Sequence, residues 1–580
     1  MGQEQNGYGR LRMRIPDQAS GKPAANPCME LHPIGKRQAE NLEEAPIREA
    51  GHRSVAFRNS VHLRWKSALS FTAPGFALFL FDMLGELSNM GQSARHEIRF
   101  LLNGETIVLD RVSPTETLLD YLRLSARLRG TKEGCGEGDC GAYTVLVGRV
   151  VDGGLVYESV NACIRFVGSL DGCHVVTIEY LRGADGDLHP VQKAMVEFHG
   201  SQCGFCTPGF VMSLYALWMR DPRPADAAIE KALQDNLCRC TGYEAIMRAA
   251  RAISDYGNVA QDPLAAERAH VLQRLTALRD GARVEVGAGK DRLIVPADLD
   301  DFATILAAEP KATIVAGSTD VGLWVTKMMR DISPVVFIGH LEELHSIREE
   351  NGVVTIGAGV TYTQAFGFLA GRIPALGQLI NRIGGEQVRN MGTIGGNIAN
   401  GSPIGDTPPL IALGATLTLR KGAERRTIAL EDFFIAYGKQ DRGAGEFVEA
   451  VHVPLPGEGS RFAAYKVSKR REEDITASLG AFHLMLDAAG NVAHIRIAYG
   501  GMAATPKRAH AVETALMGKP WTEATVEAAL EAYAQDYTPL TDMRATAEYR
   551  LLVARNMLRR FYLETTGSGE TLGALRGEAA

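Results

Sequence analysis

The sequence predicts a multidomain chain of the α+β class, and three observations carry that prediction. Its 580 residues are enough for about three or four domains at roughly 150 residues each. Eight of its nine cysteines fall between Cys135 and Cys240, in sequence that is first strand-rich and then helix-rich. Beyond about residue 286 the composition turns Gly-rich, with strand, tight loop and helix signals in succession.

A hydrophobic content of 46% with 22% charged residues is that of a soluble globular chain. A net charge of −6 gives no nucleic-acid surface, and the basic runs at 420–426 and 469–471 read as solvated faces. No segment reaches about 18 uninterrupted apolar residues. Residues 68–84 come nearest, but they carry Pro74, Gly75 and Asp82 and begin too far from Met1 for a signal peptide. Thiols in tight Cys-x2-Cys spacing imply metal or redox chemistry in a reducing, cytoplasmic setting.

Residues 1–94 show no lasting periodicity and are expected to form a poorly ordered extension with one apolar patch at 76–81. Met90 is a candidate for the true start, and Cys28 is incidental. Order is expected from Ile98. Runs at 98–102 and 106–109 flank Asn103-Gly104, the dipeptide that best suits a tight hairpin. Ser113-Pro114-Thr115-Glu116 supplies an N-cap, a first-turn Pro and a capping-box Glu for a helix through Leu118, Leu119 and Leu122. A Gly-rich cysteine loop at 134–141 and strands at 144–151 and 155–160 complete a small α/β module over 95–181.

From Pro190 the period becomes helical. Amphipathic runs at 190–199, 208–220, 224–236 and 242–254 make a four-helix bundle within 182–256. Cys203 and Cys206 lie between the first two runs, and Cys238 and Cys240 between the last two, so two loops converge at one end. A mixed linker covers 257–286. An α/β domain follows over 287–457, with glycine loops at 311–322 and 393–406. Strands at 463–467, 477–486 and 495–500 and helices near 507–517, 522–534 and 544–564 form a further α/β piece over 458–566. Residues 567–580 are a tail.

Thiolates suit iron–sulfur clusters, and short spacings wrap several sulfurs around one core. Cys203-x2-Cys206 with Cys238-x-Cys240 is a complete four-thiol set, for which tetrahedral zinc is the competing reading. Cys135-x4-Cys140-x2-Tyr143, with Cys163 further on, is the plant-type [2Fe–2S] spacing with its third thiol replaced by a phenol. Gly134, Gly136, Gly138 and Gly141 clear side chains so that backbone N–H groups approach cluster sulfides. A phenolate does bind iron in some proteins, but it is bulkier than a thiolate and its free pKa is about 10. Cys173 is an alternative fourth thiol that requires a rearranged loop; otherwise it is a buried strand residue.

Neither glycine loop carries G-x-G-x-x-G or G-x-x-x-x-G-K-[ST]. Gly317-Ser318-Thr319 and Gly395-Gly396-Asn397 still offer the backbone N–H groups and small polar side chains that a pyrophosphate requires, and Asp320 and Asp406 are candidates to accept from ribose hydroxyls. Ordinary βα turns explain both loops equally well.

In combination, EGCGEGDCGA at 133–142, NACIRF at 161–166, SQCGFCTPG at 201–209 and NLCRCTGY at 236–243 resemble the iron–sulfur part of the xanthine dehydrogenase family. IVAGSTDVG at 314–322, TIGGNIANGSPIGDTPP at 393–409, YKVSKRREEDI at 465–475 and YGGMAATPKRA at 499–509 resemble its flavin part. The resemblance runs from about 97 to 565 in the family's domain order. It implies a ferredoxin-like β-grasp [2Fe–2S] domain, a four-helix [2Fe–2S] bundle, a PCMH-type α/β FAD-binding domain and a C-terminal α/β flavoprotein domain. It also implies a small subunit that relays electrons. A partner large subunit would oxidise a purine (hypoxanthine or xanthine to urate) at its molybdenum cofactor, and electrons would pass through two clusters to FAD and then NAD. The assembly implied is a heterotetramer, with no nucleic-acid and no membrane partner.

By the same resemblance Cys203, Cys206, Cys238 and Cys240 hold the cluster nearer molybdenum, with Gln202 facing the partner's pterin. Cys135, Cys140 and Cys163 hold the cluster nearer the flavin. Val315, Ala316, Gly317, Ser318, Thr319, Asp320, Val321 and Gly322, together with Thr393, Ile394, Gly395, Gly396 and Asn397, cradle the FAD pyrophosphate. Asp406 and Lys466 make further FAD contacts, and the charged segment 470–474 lies beside the flavin. Two departures stand out: the extension before Met90, and Tyr143. The second predicts that the flavin-side cluster is absent, labile or shifted in potential. Open alternatives are a hydroxylase of aldehydes or N-heterocycles, oxygen instead of NAD as acceptor, and a scaffold subunit that binds FAD without conducting electrons.

Overall fold

The Asn103-Gly104 turn closes a hairpin between Ile98–Leu102 and Glu105–Leu109, with Asn103 at φ 54°. Asn tolerates that left-handed conformation better than most side chains. This is a computed structural model that describes residues 94–183 and 186–567. The expected extension, with its 76–81 patch, Cys28 and Met90, and the tail from 568 lie outside the described residues.

The hairpin forms one edge of a five-stranded sheet ordered Glu105–Leu109, Ile98–Leu102, His174–Val176, Thr144–Val151, Gly154–Asn161. The first helix starts later than its capping sequence predicts. Thr117 is the N-cap, its Oγ1 accepting from the Asp120 N–H at 3.1 Å, while the Ser113 carbonyl only closes a turn with the Glu116 N–H. A bridge between Thr117 and Phe166 holds Thr117 extended, so no helix can begin before it.

Helices Pro190–Glu197, Thr207–Arg220, Asp226–Ala232 and Glu244–Ala252 lie within or just beside the four expected runs and pack around Phe210, Tyr215, Trp218 and Ile246. The region expected to be a linker is ordered. Its helix Arg268–Leu278 sets Val271 and Leu275 against Leu101 and Leu155 of the first sheet. Asp262, just ahead of it, is buried and accepts from His189 Nε2 (2.8 Å), the Tyr215 hydroxyl (2.7 Å) and the Leu264 N–H (2.9 Å). His189 Nδ1 accepts from the Val191 N–H, which leaves the proton on Nε2. Asp262→Ala strands a buried imidazole and a buried phenol, and is expected to cost about 3 kcal/mol. Urea unfolding checks this, and a loss below about 1 kcal/mol contradicts it.

Past the linker, one four-stranded sheet is ordered Val284–Ala288, Asp291–Val295, Val335–Phe337, Thr313–Val315. A five-stranded antiparallel sheet follows, ordered Ile347–Glu350, Val353–Gly357, Phe447–Pro454, Thr416–Lys421, Glu424–Ala429. The C-terminal piece pairs Arg461–Val467, Ser478–Leu486, Val492–Gly500 and Lys507–Arg508, with helix Ala547–Thr566 against the sheet. The pieces do not keep separate cores. Phe166 and Val167 of the first module share one core with Leu293, Phe337 and Met391. Gly168 permits this approach, since a Cβ there would lie 2.3 Å from the Phe337 ring. The cysteine module is thereby held at a fixed position against the glycine loops. Among the described residues no helix is long and apolar enough to cross a membrane.

Candidate cofactor sites

Cys206 caps helix Thr207–Arg220, Cys203 lies in the turn before it, and Cys238 and Cys240 follow helix Asp226–Ala232. The four thiols lie as two neighbouring pairs, Cys203 with Cys240 and Cys206 with Cys238. Cys203 and Cys240 are exposed, Cys206 is half-buried and Cys238 is buried. Burial works to raise the Cys238 thiol, yet Thr241 Oγ1 (3.1 Å) and N–H (3.4 Å) donate to its sulfur and bring it below its ordinary value. Two thiol pairs suit a two-iron core, each iron taking two thiolates. The residues therefore fit a [2Fe–2S] cluster. Gln202 is exposed beside Cys203, on the same edge.

In the first set, Gly136, Gly138 and Gly141 all take positive φ, and a Cβ at Gly134 would lie 2.5 Å from Cys140 Sγ. The Glu137 and Asp139 N–H groups donate to Cys135 Sγ (both 3.4 Å), and the Cys135 N–H donates to Cys140 Sγ (3.3 Å). Tyr143 is fully buried. Its hydroxyl oxygen accepts from the Cys140 N–H at 2.7 Å and lies 3.5 Å from Cys135 Sγ. Burial, reinforced by the sulfurs of Cys163, Cys135 and Cys140, pushes this phenol far above its ordinary pKa, so it is a neutral hydroxyl. These residues do not fit a four-thiolate cluster. Cys173 does not complete the set: it is buried beside Arg165, with its thiol toward the Asp171 carbonyl (3.8 Å).

The two cysteine sites touch through the backbone. The Leu237 N–H donates to the Cys140 carbonyl (3.1 Å) and Asn236 Nδ2 to the Gly141 carbonyl (3.3 Å). On the far side, Ile164, next to Cys163, approaches Gly322 so closely that a Cβ there would lie 2.7 Å from the Ile164 oxygen. Lys327 Nζ also hydrogen-bonds the Cys135 carbonyl. The order through the molecule is second cysteine set, first cysteine set, glycine loop.

Helix Glu386–Met391 ties these parts together and was not foreseen as functional. Gln387 Nε2 lies 3.2 Å from each of Thr144 Oγ1, Ser213 Oγ and Asn236 Oδ1. The Thr144 hydroxyl already donates to the Gly141 carbonyl and that of Ser213 to Asn236, so the amide must present its N–H side. Asn390 Nδ2 donates to the Ser159 carbonyl (2.9 Å), and the Gly385 N–H to Asp235 Oδ1 (3.1 Å).

Strand Thr313–Val315 runs through Ala316 into the first glycine loop, where Ser318 takes φ 59° and Asp320 is exposed; Val321 and Gly322 open helix Val321–Thr326. The N–H groups of Gly317, Ser318, Thr319 and Asp320 meet no acceptor among the described residues. Such a row of backbone donors suits an anionic pyrophosphate. The second glycine segment is different. Thr393 is the N-cap of helix Ile394–Asn400, and its neighbours' N–H groups are already used. Those of Ile394 and Gly395 donate to the Val360 and Ala358 carbonyls, and those of Gly396 and Asn397 to Thr393 Oγ1 and the Thr393 carbonyl, each at 3.0 Å. The expectation that Gly395, Gly396 and Asn397 present free N–H groups is thus corrected. Gly395 serves packing, since a Cβ there would lie 2.4 Å from that of Ala358.

This segment contributes side chains instead. Asn397 Oδ1 accepts from the Asp406 N–H (3.2 Å), and Asp406 Oδ1 lies 3.7 Å from Lys466 Nζ. Burial raises the Asp406 carboxyl although Lys466 opposes it, and Oδ1 is buried without a hydrogen-bond partner among the described residues. With Lys466 as its one charged neighbour at 3.7 Å, this oxygen keeps capacity to accept from a hydroxyl donor. Segment 470–474 lies where it meets the first cysteine loop, with Arg470 4.0 Å from Asp139.

Three family models match the chain. One described as a [2Fe-2S] binding domain covers 177–251, the FAD binding domain in molybdopterin dehydrogenase covers 287–456, and the CO dehydrogenase flavoprotein C-terminal domain covers 463–565. The chain is similar to a xanthine dehydrogenase of Emericella nidulans, 31% identical over 523 residues that cover 80% of this chain and 38% of that protein. It is similar to aldehyde oxidase 2 of Macaca fascicularis, 30% identical over 530 residues, 81% of this chain and 39% of that protein. Among solved structures, a carbon monoxide dehydrogenase from Hydrogenophaga pseudoflava lacking the Mo-pyranopterin moiety is 30% identical, with a TM-score of 0.44, over 46% of this chain and 93% of that one. The chain spans about two fifths of the length of the curated relatives it matches.

Proposed function

We propose that the chain is a member of the molybdenum hydroxylase family and the electron-transfer subunit of a xanthine dehydrogenase, a reading supported by its flavin and [2Fe-2S] family models and its similarity to xanthine dehydrogenases. A partner large subunit holds the molybdenum cofactor and hydroxylates hypoxanthine or xanthine; this chain takes the electrons and delivers them to NAD. Bound cluster and flavin supply the one-electron and hydride chemistry. The chain's own residues set spacing and environment. Thr241 and the loop backbone hold the sulfurs of the second set, the Gly317–Asp320 N–H groups receive the pyrophosphate, and Asp406 and Lys466 fix the flavin end.

One observation carries this reading: direct contacts join the sites one to the next. Exposed Cys203 and Cys240 form one end, the Leu237–Cys140 and Ile164–Gly322 contacts link the middle, and the glycine loop forms the other end. Phe205, Leu237 and Tyr243 expose 49%, 43% and 40% of their surface around the exposed thiols, which suits a face covered by the large subunit. Gln202 lies on that face, toward the partner's pterin, in a heterotetramer of the cytoplasm. The domain limits follow the same reading: cysteine modules at 95–181 and 182–256, FAD-binding domain at 287–457, flavoprotein domain at 458–566.

Similarity to aldehyde oxidase 2 supports a second reading, the same role in a hydroxylase of aldehydes. The test is co-purification of the full chain with its large subunit, followed by NADH formation with xanthine and with aldehydes. Xanthine-dependent NADH supports the proposal and aldehyde turnover the second reading. Failure of the FAD-loaded chain to reduce a dye with NADH overturns NAD as acceptor.

A further inference from the structure

We propose that the Cys135/Cys140/Cys163 site is closed by the Tyr143 phenol and holds no [2Fe–2S] cluster, so that this chain carries a single cluster, at Cys203, Cys206, Cys238 and Cys240. The inference rests on the electron-transfer reading and sharpens it. A phenol reaches several ångströms further from the backbone than a thiol. Its oxygen therefore falls inside the volume of an iron–sulfide core, not on the rim where a ligating sulfur sits.

The hydrogen bonds show that placement. The Cys140 N–H, which in a loaded loop of this spacing would point toward a cluster sulfide, donates instead to the Tyr143 oxygen at 2.7 Å. The same oxygen lies 3.5 Å from Cys135 Sγ. Three other loop donors go to cysteine sulfur: Glu137 and Asp139 N–H to Cys135, and Cys135 N–H to Cys140. The Cys140 N–H differs from these donors in turning to the phenol, which occupies the space the loop encloses. Nor can the ring swing aside, for Tyr143 is fully buried in one core with Phe100, Leu118, Phe166 and Met391.

The second site lacks these features. Tyr243 also accepts an N–H there, from Cys238 at 3.0 Å, but it is 40% exposed and replaces no thiol of the set. Between the second site and the glycine loop, the route then runs through the Leu237–Cys140 hydrogen bond and the Ile164–Gly322 contact with no metal between.

The test is iron, sulfide and FAD quantitation with EPR on the purified full chain and on Tyr143→Cys. The expected result is about two irons and two sulfides per FAD with one [2Fe–2S] signal, rising to about four and two signals in Tyr143→Cys. About four irons with two signals in the natural chain overturns the inference, as does a visible phenolate-to-iron(III) charge-transfer band, which would make Tyr143 a ligand. A folded Tyr143→Cys that stays at about two irons overturns the phenol as the cause. A chain with neither iron nor FAD would instead defeat the electron-transfer reading itself.

Discussion

Replacing Gly317 by alanine is expected to strip FAD from the chain while leaving the iron of the second cysteine set in place. Gly317 does not adopt a positive φ; its constraint is contact. A Cβ there would lie 1.5 Å from the Met391 carbonyl oxygen and 3.1 Å from the Gly392 nitrogen. Neither atom can yield, because Met391 ends the buried helix that carries Gln387 and Asn390. The loop must therefore lift, and with it the row of N–H groups from Gly317 to Asp320. Overpacking of this kind costs roughly 1–3 kcal/mol or more, so FAD affinity should fall about 100-fold. FAD per iron after gel filtration checks this. Gly367→Ala is the control, since its Cβ meets nothing within 4 Å and helix propensity favours alanine. Unchanged FAD content in Gly317→Ala would contradict the account of this loop.

Cys206→Ser is expected to do the reverse, removing nearly all iron and sparing FAD. Cys206 pairs with buried Cys238 on the inner side of the second set, where a serine hydroxyl is a poor substitute for a thiolate. With the first site closed by Tyr143, no other complete set of thiols remains among the described residues. Iron should drop from about two per FAD to near zero, and the low-temperature EPR signal should vanish. Retention of half the iron in Cys206→Ser would show that the first site is loaded.

Local signals in the sequence proved reliable where the structure they report is local. Asn103-Gly104 forms its hairpin, Pro190 and Pro208 sit in first helical turns, and the two cysteine groups converge as their spacing implies. Long-range contacts explain what was missed. Ser113 lost the N-cap to Thr117 because Phe166, about fifty residues on, holds Thr117 extended. Asp262 looks like a linker acid, yet it is buried by His189 and Tyr215 from the preceding bundle. The run Glu386-Gln387-Val388-Arg389-Asn390 carries polar side chains and no motif, yet Glu386, Gln387, Arg389 and Asn390 are all buried. The glycines of 395–396 suggested free donors because sequence does not reveal that the Ala358 carbonyl and the Thr393 hydroxyl already take them. Tyr143 was legible as a missing thiol; where its hydroxyl sits became visible only in the folded loop.

The most direct test of the central claim is an anaerobic reductive titration of the purified full chain, counting electrons taken up per FAD. A flavin accepts about two electrons and each [2Fe–2S] cluster about one. One intact cluster beside FAD predicts about three electrons per FAD, with a single iron–sulfur transition. Uptake of about four electrons, with two resolvable iron–sulfur transitions, would contradict it.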